Sequence, residues 1–244
     1  MKKIDLNCDL AEGFDHDEEM MKYISSANIA CGFHAGNAQL MKEAVELSLK
    51  NSVKIGAHPG LPDKENFGRK KTPLSPNDLF TIVHTQIDAL SCIAKSKGAK
   101  LYHVKAHGAL YHMINEDSEL AVAFCQSVKE FDDELIVYGF HNSPLLEICK
   151  VHGIQYRKEI FADRTYTSRG YLTPRNETSA TIVDKEQALQ QIISIIKEQK
   201  VITPNGTEIL VEGDTVCLHG DHPHAPLFAK FIHDRLIKMA ISIG

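Results

Sequence analysis

The chain predicts a closed, seven-stranded parallel β/α barrel, a distorted TIM-type α/β fold, with residues 1–244 forming one domain. Short apolar runs alternate with amphipathic helical stretches along the whole chain, and right-handed crossovers turn that alternation into a parallel sheet. Polar residues stand at strand tips from the first run to the last, whereas an open doubly wound sheet gathers them at one switch point. Polar residues also keep a constant phase inside strands. Asp5, Asn7 and Asp9 share one face and Ile4, Leu6, Cys8 and Leu10 the other; His103, Lys105 and His107 share a face, as do Cys217, His219 and Asp221. A barrel provides for both faces, being apolar under its helices and free to turn polar inside, towards one mouth.

The elements follow in order. Strands are expected at 3–8, 27–33, 53–57, 100–106, 135–139, 155–161 and 214–219, and helices at 17–24, 37–51, 76–97, 117–131, 143–152, 184–199 and 224–241. The third helix carries the clearest start signal. Ser75 supplies a cap, Pro76 the first turn and Asp78 an early acid; apolar residues then recur at helical spacing from Leu79 to Ala94, and Gly98 ends the run. Residues 203–213 read as a hairpin inserted before the last strand, with Asn205-Gly206 as its turn.

Composition narrows the function classes. With 43% hydrophobic and 24% charged residues the chain is an ordinary globular one, long enough for a sizeable core. A net charge of -5 argues against a nucleic acid or an anionic membrane surface as partner. No apolar stretch approaches bilayer length, and Asp5, Asn7 and Asp9 interrupt any signal-like run after Lys2-Lys3, so the expected location is the cytoplasm. The six cysteines show no C-x-x-C pair and read as small buried apolar residues of a reducing compartment. There is no G-x-x-x-x-G-K-[ST] phosphate loop, G-x-G-x-x-G, G-x-S-x-G or H-E-x-x-H.

Four apolar runs end in a histidine with a glycine close behind: His34, His58, His107 and His219. One such histidine is usually a satisfied core residue. Four at equivalent tips converge on one mouth, where imidazoles serve as acid, base or ligand. Asp9 closes the first strand and Glu12 follows in its turn, a pair suited to supply a base and an anchor; a local cap is the plainer role for Glu12. Lys105 points inward, where a cation needs an anion: Asp9 or Asp5 structurally, or a substrate carboxylate or phosphate. Asn7 and Asp221 extend the inward set as substrate contacts. Asp163 ends the sixth strand in phase with Glu159, and Arg164 beside it suits a bidentate carboxylate clamp, a local ion pair being the alternative. The loop from Gly60 to Pro76 reads as a mobile lid whose Phe67-Gly68-Arg69 brings Arg69 to an anionic cofactor, or else as a solvated charge run. His222 and His224 are expected at the outer rim.

Several of these segments together resemble the LamB/YcsF family. They are Asp5-Leu6-Asn7-Cys8-Asp9, residues 26–36 (SANIACGFHAG), Gly56-Ala57-His58-Pro59-Gly60, Phe67-Gly68-Arg69, Val104-Lys105 with His107-Gly108-Ala109-Leu110-Tyr111, Phe161-Ala162-Asp163-Arg164 and Cys217-Leu218-His219-Gly220-Asp221. The resemblance spans nearly the whole chain. It departs at Ala11, where the family usually has Gly, at Asn37 for Asp, and at Ala106 for Pro; Asn37 is expected to cap the next helix as Asp would. The resemblance implies a barrel of the glycoside hydrolase/deacetylase type. It also implies the A-subunit role in cleaving 5-oxoproline to glutamate, coupled to ATP hydrolysis and requiring separate B and C subunits. ATP is then a co-substrate of the complex. Alternatives of other classes are a stand-alone metal-dependent deacetylase or amidohydrolase, built on Asp9 and two of the four histidines, and a non-catalytic subunit that presents substrate. A divalent metal and a homo-oligomer are left open by the sequence.

Overall fold

A closed ring of seven parallel strands organises the protein. In the computed structural model, which describes residues 2–221 and 224–244, the ring comprises β1 (Lys3–Leu10), β2 (Ser26–Ala30), β3 (Lys54–His58), β4 (His103–Lys105), β5 (Ile136–Phe140), β6 (Tyr156–Phe161) and, after a hairpin, β9 (Thr215–Leu218). The last strand closes it, pairing Glu159 to Phe161 of β6 on one side and Asp5 to Cys8 of β1 on the other. The hairpin is β7 (Lys200–Ile202) against β8 (Glu208–Leu210), antiparallel, its loop reversing through Gly206 at φ +83. A two-residue strand, β10 (Ser242–Ile243), pairs with the start of β1.

Around the ring lie α1 (Asp17–Met20), α2 (Ala38–Asn51), α3 (Pro76–Ser96), α4 (Gly108–Glu116), α5 (Ser118–Phe131), α6 (Pro144–Val151), α7 (Lys185–Glu198) and α8 (Ala225–Lys238). Start signals in the sequence are used as such. Ser75 accepts from the Asp78 amide with Pro76 in the first turn, and Asn37 accepts from the amides of Gln39 and Leu40, doing the capping that Asp would do. Helix α4 was not expected. It opens at His107-Gly108, which reads as a strand-ending turn, and His107 gives it no side-chain cap. Gly108 is there because a Cβ would lie 2.8 Å from the Gly68 carbonyl oxygen, where the 60–76 loop crosses. The expected first helix shortens to one turn. Five of the six cysteines are buried as expected, but Cys92 is exposed on α3. Among the described residues no helix is long and apolar enough to cross a membrane. His222 lies outside the described residues.

The two faces of β1 divide the interior. Ile4, Leu6, Cys8 and Leu10 enter the apolar layer beneath the helices, while Asp5 and Asn7 are fully buried inside the ring. Buried polar groups must find partners, and here they do so in tiers. At the bottom the Asp5 carboxylate accepts from Ser26 (2.6 Å), Thr215 (2.6 Å), Ser25 (2.8 Å) and Tyr138 (3.1 Å) hydroxyls. His103 stacks on Tyr138 at 4.1 Å and fills the space that Gly56 leaves, since a Cβ there would fall 2.1 Å from its Nε2. Burial keeps His103 neutral, its pKa pushed down to about 3. Its Nε2 bonds the Asn28 oxygen at 2.7 Å, and Asn28 Nδ2 donates onward to Asn7 and to Asp9, each at 2.7 Å. A ladder of polar contacts thus rises from the floor of the barrel to its C-terminal mouth.

Candidate functional site

Lys105 is the hub of that mouth. Its ammonium lies 2.8 Å from Asp9 Oδ1 and 2.9 Å from Glu159 Oε1, with Asn7 Oδ1 at 3.3 Å and Cys217 Sγ at 3.2 Å. Burial works against its charge, but Asp9 and Glu159 outweigh it and hold the pKa well above the usual lysine value. Asp9 is half-buried; burial raises its pKa, but the neighbouring His58 and Lys105 outweigh that and hold its carboxyl well below the usual range. Of the two structural partners considered for Lys105, Asp9 is the one it meets.

One side of Asp9 is a cluster of Glu12, His34, His58 and His107. His58 Nε2 lies 3.4 Å from Asp9 Oδ2 and 3.0 Å from His107 Nδ1. His107 Nδ1 and His34 Nε2 approach Glu12 Oε1 at 3.1 and 3.3 Å. Despite burial, hydrogen bonds to His107 and His34 pull Glu12 down to about 2, and burial lowers His34 to about 4. The turn that delivers Glu12 needs Ala11 at φ 61, a left-handed conformation that suits the glycine usual in the resembled family. The 60–76 loop is a packed cover over this cluster. The Phe67 carbonyl accepts from His107 Nε2 at 2.9 Å, and the Phe67 ring packs edge-on against His34 and His107.

Across the mouth His219 Nδ1 lies 2.8 Å from Asp163 Oδ2, and Arg175 Nη2 lies 3.3 Å from His219 Nε2. A carboxylate only accepts, so Asp163 fixes the proton on Nδ1 and leaves Nε2 to the cavity. Burial opposes protonation of His219, but Asp163 reverses the balance and raises its pKa above the usual histidine value. Between the two groups lies a cavity of about 530 Å³, lined by Asp9, Glu12, His58, Lys105, His107 and His219 among others.

The structure therefore brings Asp9, Glu12, His34, His58, Lys105, His107, Asp163 and His219 to one mouth, with Asn7 just beneath. Arg69 and Asp221 pair with each other at 2.8 Å on its rim. Arg164 reaches the cavity wall, but its Nη2 and Nε donate to the Thr173 and Ala180 carbonyls at 2.6 and 3.2 Å and hold the 164–180 loop. Arg175, exposed on that loop, is the guanidinium beside His219; it lies outside every periodic segment, and no sequence signal marks it. Asn28 and Glu159 were findable by extending the inner-face phase to β2 and β6.

The match to known proteins covers the chain nearly end to end. The model of the LamB/YcsF family matches residues 4–244. A protein of Bordetella parapertussis that is named as the A subunit of 5-oxoprolinase is 42% identical over 98% of this chain and 97% of its own. One of the same name from Staphylococcus epidermidis is 44% identical over 99% and 98%. Among solved structures, a lactam utilization protein from Thermus thermophilus has a TM-score of 0.94 at 37% identity, covering 99% of this chain and 98% of that one. From end to end of its barrel, this chain belongs to the LamB/YcsF family.

Proposed function

We propose that this chain is the lactam-opening A subunit of an ATP-dependent 5-oxoprolinase, converting 5-oxoproline to glutamate with separate B and C subunits. The observation that carries the reading is the opposition, across one cavity, of an Asp163–His219 pair and a carboxylate–imidazole cluster on Asp9. The names of the relatives support the choice of substrate.

A five-membered lactam is a weak electrophile, because amide resonance drains its carbonyl. ATP chemistry on the lactam oxygen, assigned here to the B and C subunits because this sequence has no phosphate loop, makes that oxygen a leaving group and the ring carbon attackable. Water then adds at that carbon. His219 Nε2 takes its proton, with Asp163 holding the ring in register, and returns a proton to the departing ring nitrogen, so that ring opening leaves the γ-acyl phosphate of glutamate; a second water then displaces the phosphate and completes the carboxylate. Oriented acid–base groups of this kind contribute about 10²–10⁴ in rate. Lys105 keeps Asp9 ionised, and Arg175 and the Arg69 rim receive the substrate carboxylate and the anionic oxygen.

The test is glutamate release from 5-oxoproline by the purified chain, with and without the B and C subunits and ATP. Turnover should need all three subunits, and His219→Gln should lower kcat by roughly 10²-fold or more with KM little changed. Amide hydrolysis by the chain alone, or a His219→Gln variant as active as wild type, would overturn the reading.

A further inference from the structure

We infer that the base of the cavity is a binding site for one divalent transition-metal ion, held by Asp9 Oδ2, Glu12 Oε1, His58 Nε2 and His107 Nδ1. Proton placement on the two imidazoles carries the inference. His58 Nδ1 lies 2.7 Å from the Lys105 carbonyl oxygen, and His107 Nε2 lies 2.9 Å from that of Phe67. Carbonyls only accept, so both of those nitrogens carry hydrogen. The nitrogens left over, His58 Nε2 and His107 Nδ1, face each other at 3.0 Å, and they become the lone-pair atoms of the two rings when an ion displaces the proton shared there. Two carboxylate oxygens close the same space, Asp9 Oδ2 at 3.4 Å from His58 and Glu12 Oε1 at 3.1 Å from His107. Four potential electron-pair donors line the same space.

Four of the six separations among these atoms are those of a coordination shell. Ligand atoms about 2.1 Å from a tetrahedral zinc ion stand roughly 3.4 Å apart; here those four separations are 3.0, 3.1 and 3.4 Å, with His58 to Glu12 at 3.8 Å. Three of the four donors are also gripped from behind, as metal ligands characteristically are. Backbone carbonyls orient the two imidazoles. Asn28 and Lys105 occupy Asp9 Oδ1, leaving Oδ2 to the site. For Glu12 the brace is His34, whose Nε2 contacts Oε1 itself at 3.3 Å.

His34 itself is a brace and not a ligand. Its ring is stacked on that of His107 at 3.8 Å with 4° between the planes. An imidazole binds a metal in its own plane, and one ion cannot lie in two parallel planes that far apart. His34 is also missing from the cavity wall, which Asp9, Glu12, His58 and His107 all reach, so an ion there would keep a face open to the cavity. Asp9 with Cys217 and His219 also lie close together, but Lys105 Nζ sits 3.2 Å from that thiol and competes with a cation. Two imidazoles and two carboxylates suit zinc, cobalt or manganese rather than magnesium or calcium.

The readout is ion binding, so the test is independent of the lactam reading. Protein stripped with a chelator is titrated with Zn²⁺ and Co²⁺ by calorimetry, with cobalt also followed by its visible absorption; circular dichroism and melting confirm that each sample is folded. One ion per chain is expected. His58→Gln, His107→Gln and Glu12→Gln should each weaken binding by more than about 100-fold, and His34→Gln by roughly 10–100-fold. His219→Gln should leave it within about threefold. Glu12→Gln preserves size and keeps an oxygen towards His34, so it serves if an imidazole variant fails to fold. Folded wild-type protein that takes up less than ~0.1 ion per chain overturns the inference, the His58–His107 pair then sharing a proton. Binding that survives His107→Gln and Glu12→Gln, or that is lost in His219→Gln alone, overturns it equally.

Discussion

Replacing Lys105 by Met should damage stability in a way that acid partly repairs. The ammonium is almost wholly buried between Asp9 at 2.8 Å and Glu159 at 2.9 Å. At an effective dielectric near 20, each contact is worth about 6 kcal/mol of Coulomb attraction. Most of that offsets the penalty of burying three charges, so the pair contributes little beyond neutral packing. Removing one member is different, because it strands two buried carboxylates at roughly 3–5 kcal/mol. Those carboxylates then hold protons more tightly in the folded chain than in the unfolded one. A folded pKa that has been raised adds stability as pH falls through it, so the deficit should shrink between pH 7.5 and 5.5. Urea unfolding followed by far-UV circular dichroism at the two pH values measures it. Lys105→Met with Glu159→Gln should recover roughly 1–3 kcal/mol. A deficit below about 1 kcal/mol at pH 7.5, or one equal at both pH values, refutes the account of Lys105 as the counter-ion of the barrel interior.

Other perturbations have equally definite outcomes. His103 has a folded pKa of about 3, below its ordinary 6.5, so its contribution is complete above pH 6.5 and is lost as pH falls towards 3; the wild type should lose up to ~1.4 kcal/mol per pH unit more than His103→Asn over that range in matched urea melts. Gly56→Ala sets a methyl 2.1 Å from His103 Nε2 and must expel that ring from its bond to Asn28; a loss of about 3 kcal/mol, seen as a Tm lower by roughly 6–10 °C, is expected. Asn37→Ala should destabilise by about 1 kcal/mol through loss of two amide caps, whereas Asn37→Asp should stay within ~0.5 kcal/mol in the same melts.

The architecture was legible because the two faces of each strand obey different rules. The phase of Asp5, Asn7 and Asp9 against Ile4, Leu6 and Cys8 defined an inside and an outside before any strand pairing was known. Histidines at four strand tips then had to share a mouth. The features that escaped have local causes. Helix α4 starts at a glycine needed for loop clearance, so its first residue imitates a stop. The division of the histidines into a cluster of three and a lone His219 depends on which tips adjoin Asp9 and which adjoin Asp163, a matter of barrel closure and not of spelling. Arg164 looked like a ligand clamp because a guanidinium next to a strand-end acid is the same text whether it grips a substrate or two carbonyls of its own loop. Arg175 was invisible because irregular loops have no period to read.

Closure of the ring by β9 sets the order of events at the ribosome. Residues 5–8 find their partners on the β9 side only when residues 215–218 have been made, on the order of ten to forty seconds after β1 emerges at ordinary translation speeds. Until then the nascent chain carries two bare strand edges, β1 and β6, and a charged lumen whose acids and lysine face water. Six strands cannot settle into a ring, so the polar lumen that serves the finished mouth also keeps the unfinished sheet hydrated while it waits for its last strand.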